Sequence, residues 1–273
     1  MGQSMLGKAR PAQRPAGRRS DLLVRGRDIS AIGSTHGSFS GRALVRWVAP
    51  LATFWTGTFC VDTTERIAAL TYDDGPHPIH TNGILDVLGE FGVHATFFML
   101  GAAARRHPEV AARVANEGHE VGLHGYDHRS IKTMSLRDFR SMLIEARRVV
   151  ETAAGSAVRL YRPPYLQYDF TKLPLIRALG LRLAMASGGA NDWLDDPEDV
   201  ISERAKRSLA PGAIVLLHDD RGDAVGEGAT APTFDRALVT RQFLQFAIDQ
   251  GYRIVPYSEL VASGRGVSSI MFD

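Results

Sequence analysis

The sequence predicts an α/β fold of about seven repeated β-α units, a number that suits a barrel better than an open sheet. Three observations carry this expectation. From Glu65 onward, short apolar runs alternate with amphipathic stretches. A glycine separates a helical stretch from the next apolar run four times, in Phe91-Gly92-Val93, Glu117-Gly118-His119, Leu179-Gly180-Leu181 and Gln250-Gly251-Tyr252. Glycine suits the left-handed residue that ends a helix. Polar clusters stand at the ends of the apolar runs, where a parallel barrel opens its catalytic face.

Taken in order, the chain begins with an arm, residues 1 to about 40, rich in Arg, Gly, Ser and Pro and without apolar periodicity. Residues 41–64 form an apolar lead-in, expected to be helical. Its core, Ala43 to Trp55, is too short to span a bilayer and contains Arg46 and Pro50. It reads as a helix packed against the barrel or lying on a membrane surface, with Trp47, Phe54 and Trp55 as anchors. The expected strands are Ile67–Tyr72, Ala95–Leu100, Glu120–Leu123, Val158–Tyr161, Arg182–Ala186, Ala213–Leu217 and Arg253–Val255. Helical faces between them are marked by Ile84, Leu85, Val87 and Leu88, by Val110, Val114 and Ala115, and by Phe139, Met142, Leu143, Ala146 and Val150. Ser135-Leu136-Arg137-Asp138 has the form of a capping box, and Asp196-Pro197 places a capping oxygen before a first-turn proline. The domain is expected over 65–262, with 263–273 as a C-terminal tail.

Composition narrows the function. Residues 1–46 hold nine Lys or Arg against two Asp, a net +7. The remainder holds 23 basic and 28 acidic residues, a net −5. The globular part is therefore mildly acidic and carries no nucleic-acid surface. The arm is expected to be a solvated tail, with peripheral membrane contact through residues 1–55 as the alternative. The single cysteine, Cys60, permits no intrachain disulfide and is compatible with a reducing compartment. Arg18-Arg19 is not followed by an apolar stretch of the kind an export signal needs, so the expected compartment is the cytoplasm.

The chemistry gathers at five strand ends. Thr71-Tyr72-Asp73-Asp74-Gly75-Pro76 pairs two carboxylates, which need a metal or a cation to stay ionised together. His124-Gly125-Tyr126-Asp127-His128 places two imidazoles four apart, on one face if the segment is a helical turn. With Asp74 they form a two-His-one-Asp set that leaves positions open for water and substrate. Arg162-Pro163-Pro164-Tyr165 stiffens its loop and offers a guanidinium to Asp73. Asp192-Trp193 follows the fifth run, and His218 caps the sixth, where it suits a general acid. There is no His-Glu-x-x-His and no cysteine cluster, so metalloprotease and zinc-finger readings have no support.

These segments, in this order, resemble the motifs of the polysaccharide deacetylase family, also called the NodB-homology family or carbohydrate esterase family 4. Thr71–Pro76 resembles its first motif, with Tyr72 for the more usual Phe. His124–His128 resembles the second, Arg162–Tyr165 the third, Asp192-Trp193 the end of the fourth and Val215–His218 the fifth. The resemblance covers roughly residues 65–262. It implies a distorted (β/α)7-type barrel and a divalent metal, usually zinc, with cobalt or manganese able to serve. Asp74, His124 and His128 would bind the metal, and Asp73 would be the general base, oriented by Arg162. The Tyr165 N–H would help hold the oxyanion, and His218 would protonate the departing amine. Pro164, Asp192, Trp193 and Leu216 would shape the substrate pocket.

The implied activity is removal of N-acetyl groups from an N-acetylated sugar, such as an N-acetylglucosamine-containing oligosaccharide, glycoside or precursor. Two alternatives stand beside it: a carbohydrate-binding homologue without turnover, and a hydrolase of another linear or cyclic amide. One position departs from the family pattern. The fourth motif usually begins with an Asp that pairs with the catalytic histidine, and here that position is Gly189. Asp192, Asp219 and Asp220 are the candidate substitutes.

Overall fold

In the computed structural model, which describes residues 57–167, 169–194, 196–222 and 234–268, all seven expected runs contain strands. They are β2 (Ile67–Asp73), β3 (Thr96–Leu100), β4 (Glu120–Gly125), β5 (Leu160–Tyr161), β6 (Arg182–Leu183), β8 (Ile214–His218) and β9 (Arg253–Val255). A short β7 (Gly188–Gly189) joins them. The main sheet runs β6-β5-β4-β3-β2-β8-β7, with β9 also paired to β2, and every pairing is parallel. Helices flank it, and the sheet curls into a distorted (β/α)7 barrel. β2 lies at its centre and is buried along its whole length, as a strand covered on both faces must be.

The helices are α1 (His80–Phe91), α2 (Gly101–Arg106), α3 (Pro108–Asn116), α4 (Leu136–Ala154), α5 (Leu173–Ala178), α6 (Glu198–Arg207), α7 (Arg236–Asp249) and α8 (Tyr257–Ala262). Their buried faces follow the sequence period: Ile84, Leu85, Val87 and Leu88 in α1, Val110 and Val114 in α3, Phe139, Leu143, Ala146 and Val150 in α4. Ser135 caps α4, accepting the Asp138 N–H at 3.1 Å. The four punctuating glycines all take left-handed φ, between 62° and 83°. The expected Asp196 cap does not form. Pro197 occupies the cap position of α6, and Asp196 is drawn away to Arg204 at 2.6 Å.

Two boundaries differ from expectation. Within the lead-in expected to be helical, residues Thr58–Asp62 form a strand, β1, antiparallel to β10 (Arg265–Ser268). The 263–273 tail therefore begins inside the fold. The segment Thr-Phe-Cys-Val-Asp alternates, with Phe59 and Val61 buried, and β-branched and aromatic residues at that period favour a strand. β1 also bridges Ala184 beyond β6 and Ala213 before β8, and so lies across the seam of the curled sheet. Phe59 is fully buried. Phe59→Ala is expected to cost about 3–5 kcal/mol, measured by denaturant unfolding; a loss below 1 kcal/mol would mean that β1 is not part of the core. The anchors Trp47, Phe54 and Trp55, and the arm invoked for membrane contact, lie outside the described residues. Among the described residues no helix is long and apolar enough to cross a membrane.

Strand register sets up the site. Asp73 pairs with His218 across β2–β8, and Leu123 with Tyr161 across β4–β5. The residues just beyond these pairs therefore emerge at one end of the barrel.

Candidate active site

The two aspartates end a buried strand at a pinned turn. The Asp74 N–H donates to the Phe98 carbonyl at 3.2 Å, the Asp219 N–H to the Asp73 carbonyl at 3.1 Å and the Leu100 N–H to the Gly75 carbonyl at 3.0 Å. Asp74 is held at φ 83°, a left-handed conformation that costs a non-glycine residue about 1–3 kcal/mol and is retained where surroundings impose it. The reversal separates the two carboxylates, although both are buried. Asp73 Oδ1 accepts from Arg162 at 2.7 Å. Asp74 Oδ1 faces His124 Nε2 at 3.3 Å and His128 Nε2 at 3.4 Å.

His124 and His128 do converge, but not through a helical turn. His124 is on β4, the strand breaks off at Gly125 with φ 117°, and His128 returns on an irregular bend. The i, i+4 spacing was the right distance for a different geometrical reason. His124 Nδ1 lies 2.9 Å from the Arg162 carbonyl, which can only accept. Nδ1 therefore carries the proton and the Nε2 lone pair is turned towards Asp74. Burial pulls the His128 imidazole down to about 4, the opposing charge of Asp74 notwithstanding, so it is neutral at neutral pH. Burial acts to raise the Asp74 carboxyl, but its histidine neighbours, His124 first, then His218 and His128, hold it at about 2.

These three side chains fit a divalent ion. One donor atom from each lies within 4.8 Å of the others. Asp74 Oδ1 is buried without a hydrogen-bond partner. Its 3.3 and 3.4 Å distances to the imidazole nitrogens match the edge of about 3.3 Å that ligands at roughly 2.0–2.1 Å make around a tetrahedral ion. A buried carboxylate oxygen left orphaned between two imidazole nitrogens is what a cation would satisfy.

Arg162 is the most deeply enclosed charge, fully buried over the Phe98 ring at 4.0 Å. One Nη1 donates to both Asp73 and Thr71 Oγ1, and Nη2 donates to the Met185 carbonyl at 3.0 Å. After it, Pro163 and the buried Pro164 lead to Tyr165, at φ 59°. The Tyr165 ring is about half exposed and meets His128 edge-on, centroids 4.4 Å apart.

On the other side of Asp73, His218 has a carboxylate partner after all. Its Nδ1 binds Asp192 Oδ1 at 2.7 Å, and its backbone N–H donates to Asp192 Oδ2 at 2.8 Å. Burial acts to lower the His218 imidazole, but the charge and hydrogen bond of Asp192, with Asp74 and Asp73, push it up to about 9. Asp192, expected among the pocket residues, is thus a hydrogen-bond partner of His218. No carboxylate is missing at Gly189, which lies in β7 against β8, where a Cβ would stand 3.0 Å from the Leu216 carbonyl. Trp193, partly exposed, sets its ring edge-on to His218 at 5.5 Å, and Leu216, two residues before His218, shares its face of the strand.

Asp219 and Asp220 do not touch the imidazole. Asp219 binds Gly75 and Thr81, and Asp220 accepts from the Arg221 N–H. Two further groups escaped the sequence reading. Thr71 Oγ1 links Arg162 to the Val215 carbonyl, and Arg236 Nε donates to the His218 carbonyl at 3.0 Å. Thr71 could have been noticed as a polar residue inside a buried strand. Arg236 starts an ordinary amphipathic helix, and nothing local marks it.

Comparison with known proteins agrees with this geometry. Residues 61–184 match the family described as polysaccharide deacetylase. The chain is 38% identical over 151 residues to a chitooligosaccharide deacetylase of Sinorhizobium fredii, covering 55% of this chain and 70% of that one. It is 30% identical over 203 residues to the peptidoglycan-N-acetylmuramic acid deacetylase PdaC of Bacillus subtilis, covering 73% of this chain but spanning only 40% of that protein's length. A carbohydrate esterase family 4 pseudoenzyme from Bacillus anthracis superposes with TM-score 0.67 at 25% identity, over 76% of this chain and 69% of that one.

Proposed function

The chain belongs to the polysaccharide deacetylase family, and from that premise we propose that it is a metal-dependent hydrolase that removes N-acetyl groups from an N-acetylated sugar. One observation carries the reading. An Asp-His-His group with an orphaned carboxylate oxygen is flanked by an Arg162-bound Asp73 and an Asp192-bound His218. Asp74, His124 and His128 would hold the ion, with zinc proposed and cobalt or manganese as substitutes. When bound, such an ion supplies Lewis acidity, acidifying water and polarising an amide carbonyl.

The protein's own groups do the rest. Asp73, with one oxygen held by Arg162, keeps the other to accept a proton from the attacking water. Tyr165 turns its backbone N–H towards the charge that develops on the carbonyl oxygen. His218 is protonated at neutral pH and its Nδ1 is anchored to Asp192, so Nε2 is the atom that donates to the departing amine. Trp193 and Leu216 exclude water beside it, and Pro164 shapes the pocket next to Tyr165. The names of the relatives point to N-acetylglucosamine-containing glycans, chitooligosaccharide or peptidoglycan, as the class to assay.

The test is acetate release from chitooligosaccharides and peptidoglycan fragments by zinc-loaded protein. Chelation should abolish release and added zinc should restore it; activity indifferent to chelator would sink the metal reading. Asp192→Asn should move the alkaline limb of kcat/KM to lower pH. The acid must be protonated to act, and losing the Asp192 charge lowers the pH at which His218 gives up its proton. An unmoved limb would remove His218 from the acid role.

The likeness to a pseudoenzyme favours one second reading, sugar binding without turnover. A complete base, acid and orienting pair argue against it, and calorimetric binding with no acetate release would support it. Ring-opening of a cyclic amide is separated by the same assay, since it releases no acetate.

A further inference from the structure

The described start of the connection after β8, Asp219 to Gly222, adds no ligand to the Asp74-His124-His128 group, yet it packs against it. Asp219, immediately after His218, is buried and its carboxylate is fully committed. Oδ1 accepts the Gly75 N–H at 2.9 Å, and Oδ2 accepts the Thr81 hydroxyl at 2.6 Å. The Asp219 N–H meets the Asp73 carbonyl. Thr81, in the first turn of α1, also accepts the His77 N–H at 2.8 Å. The stretch from Asp73 to Thr81 is therefore folded back onto one residue at three points, two on its side chain and one on its backbone. The fit leaves no slack, because a Cβ on Gly75 would stand 2.0 Å from Asp219 Oδ2. Three residues on, Gly222 takes φ 61°, and a Cβ there would lie 3.0 Å from His128 Cβ and 3.3 Å from Asp74 Cγ.

We infer that Asp219 is a positioning residue for the metal group: its carboxylate holds the Asp73-Asp74-Gly75 turn in the reversed conformation that aims Asp74 at His124 and His128. The inference rests on the reading of those three residues as a divalent-ion site. Asp74 occupies an unfavourable left-handed φ, and such a conformation persists only where neighbours over-determine it. The Gly75 N–H is the donor next in sequence, and without Asp219 it would be buried unpaired. The turn would then relax, and the Asp74 oxygen would leave the 3.3 and 3.4 Å positions it keeps from the imidazoles.

The experiment measures zinc affinity of the full chain by competition with a chromophoric chelator, beside thermal unfolding of the metal-free protein by circular dichroism. Asp219→Ala should remain folded and lose about 10–100-fold in zinc affinity, the usual effect of removing a group that orients a ligand. Asp219→Asn should bind zinc close to wild type. Its oxygen still accepts from Gly75, and Thr81 Oγ1 has a second lone pair for the amide. Gly75→Ala should weaken zinc although the carboxylate is intact, because the methyl group must displace the turn. Wild-type affinity in folded Asp219→Ala overturns the inference. So does equal weakening in Asp219→Asn, which would mean that Asp219 acts through its charge and not through the turn. If Asp219→Ala does not fold, Asp219→Asn and Gly75→Ala decide, and wild-type affinity in Gly75→Ala overturns it. A wild-type chain that binds no zinc overturns the metal reading itself, and this inference with it.

Discussion

Asp73→Asn is expected to lower the rate of acetate release by about 10²–10⁴-fold, the usual worth of a positioned general base. Zinc affinity should stay close to wild type. The two effects separate because the two carboxylates do: Asp73 faces Arg162, and Asp74 faces the imidazoles. Asparagine keeps an oxygen that can accept from Arg162 Nη1, so the turn should survive, at some loss of stability because the guanidinium loses its counter-charge. It cannot take a proton at neutral pH. Acetate release within 10-fold of wild type, from protein with wild-type zinc affinity, would exclude Asp73 as the base.

Arg162→Ala is expected to cost the fold at least as much as the loss of the Phe59 ring. The guanidinium is fully buried, and it is the only Arg or Lys group in a salt bridge with Asp73 among the described residues. Removing it leaves a buried carboxylate without its partner, which typically costs about 3–5 kcal/mol. The Met185 carbonyl and Thr71 hydroxyl lose their donor as well. Denaturant unfolding at neutral pH measures this, and a loss below 1 kcal/mol would mean that the site relaxes around the gap. Arg162→Lys is expected to recover only part of it. One ammonium cannot serve Asp73 and the Met185 carbonyl at once in the geometry of the fork, nor lie flat over Phe98. Double substitution at Arg162 and Asp73 should cost less than the sum of the single changes, because the unpaired charge is then gone.

Much of the fold was legible in the sequence because it was encoded locally. Each of the seven apolar runs contains a strand, and the glycines before four of them end in left-handed conformations set by residue type. β1 was less legible. Its alternation is confined to five residues and sits next to a longer apolar segment that dominates any helical reading. β10, Arg265-Gly-Val-Ser268, has almost no apolar pattern and exists because β1 offers it an edge. β7 is two glycines, which no propensity scale would make a strand; it forms because β8 lies beside it.

The site divides in the same way. The chemistry of Asp73, Asp74, His124, His128, Arg162 and His218 follows from their residue types at the ends of buried runs, and the β-α alternation is enough to predict that these groups share one end of a parallel sheet. The sequence also determined that Asp and His, rather than Cys, are available to hold an ion. Which groups pair follows from the assembled fold. Asp192 and not Asp219 or Asp220 meets His218, Asp219 is spent on Gly75, and Arg236 supports the His218 carbonyl. These contacts join residues 26, 144 and 18 positions apart in the chain. Such pairings depend on strand register and on the path of the connecting loops, where a shift of one residue turns a side chain to the opposite face. Residue type and periodicity constrain that register without fixing the loop paths, so the partners of these buried charges emerge only when the sheet is assembled.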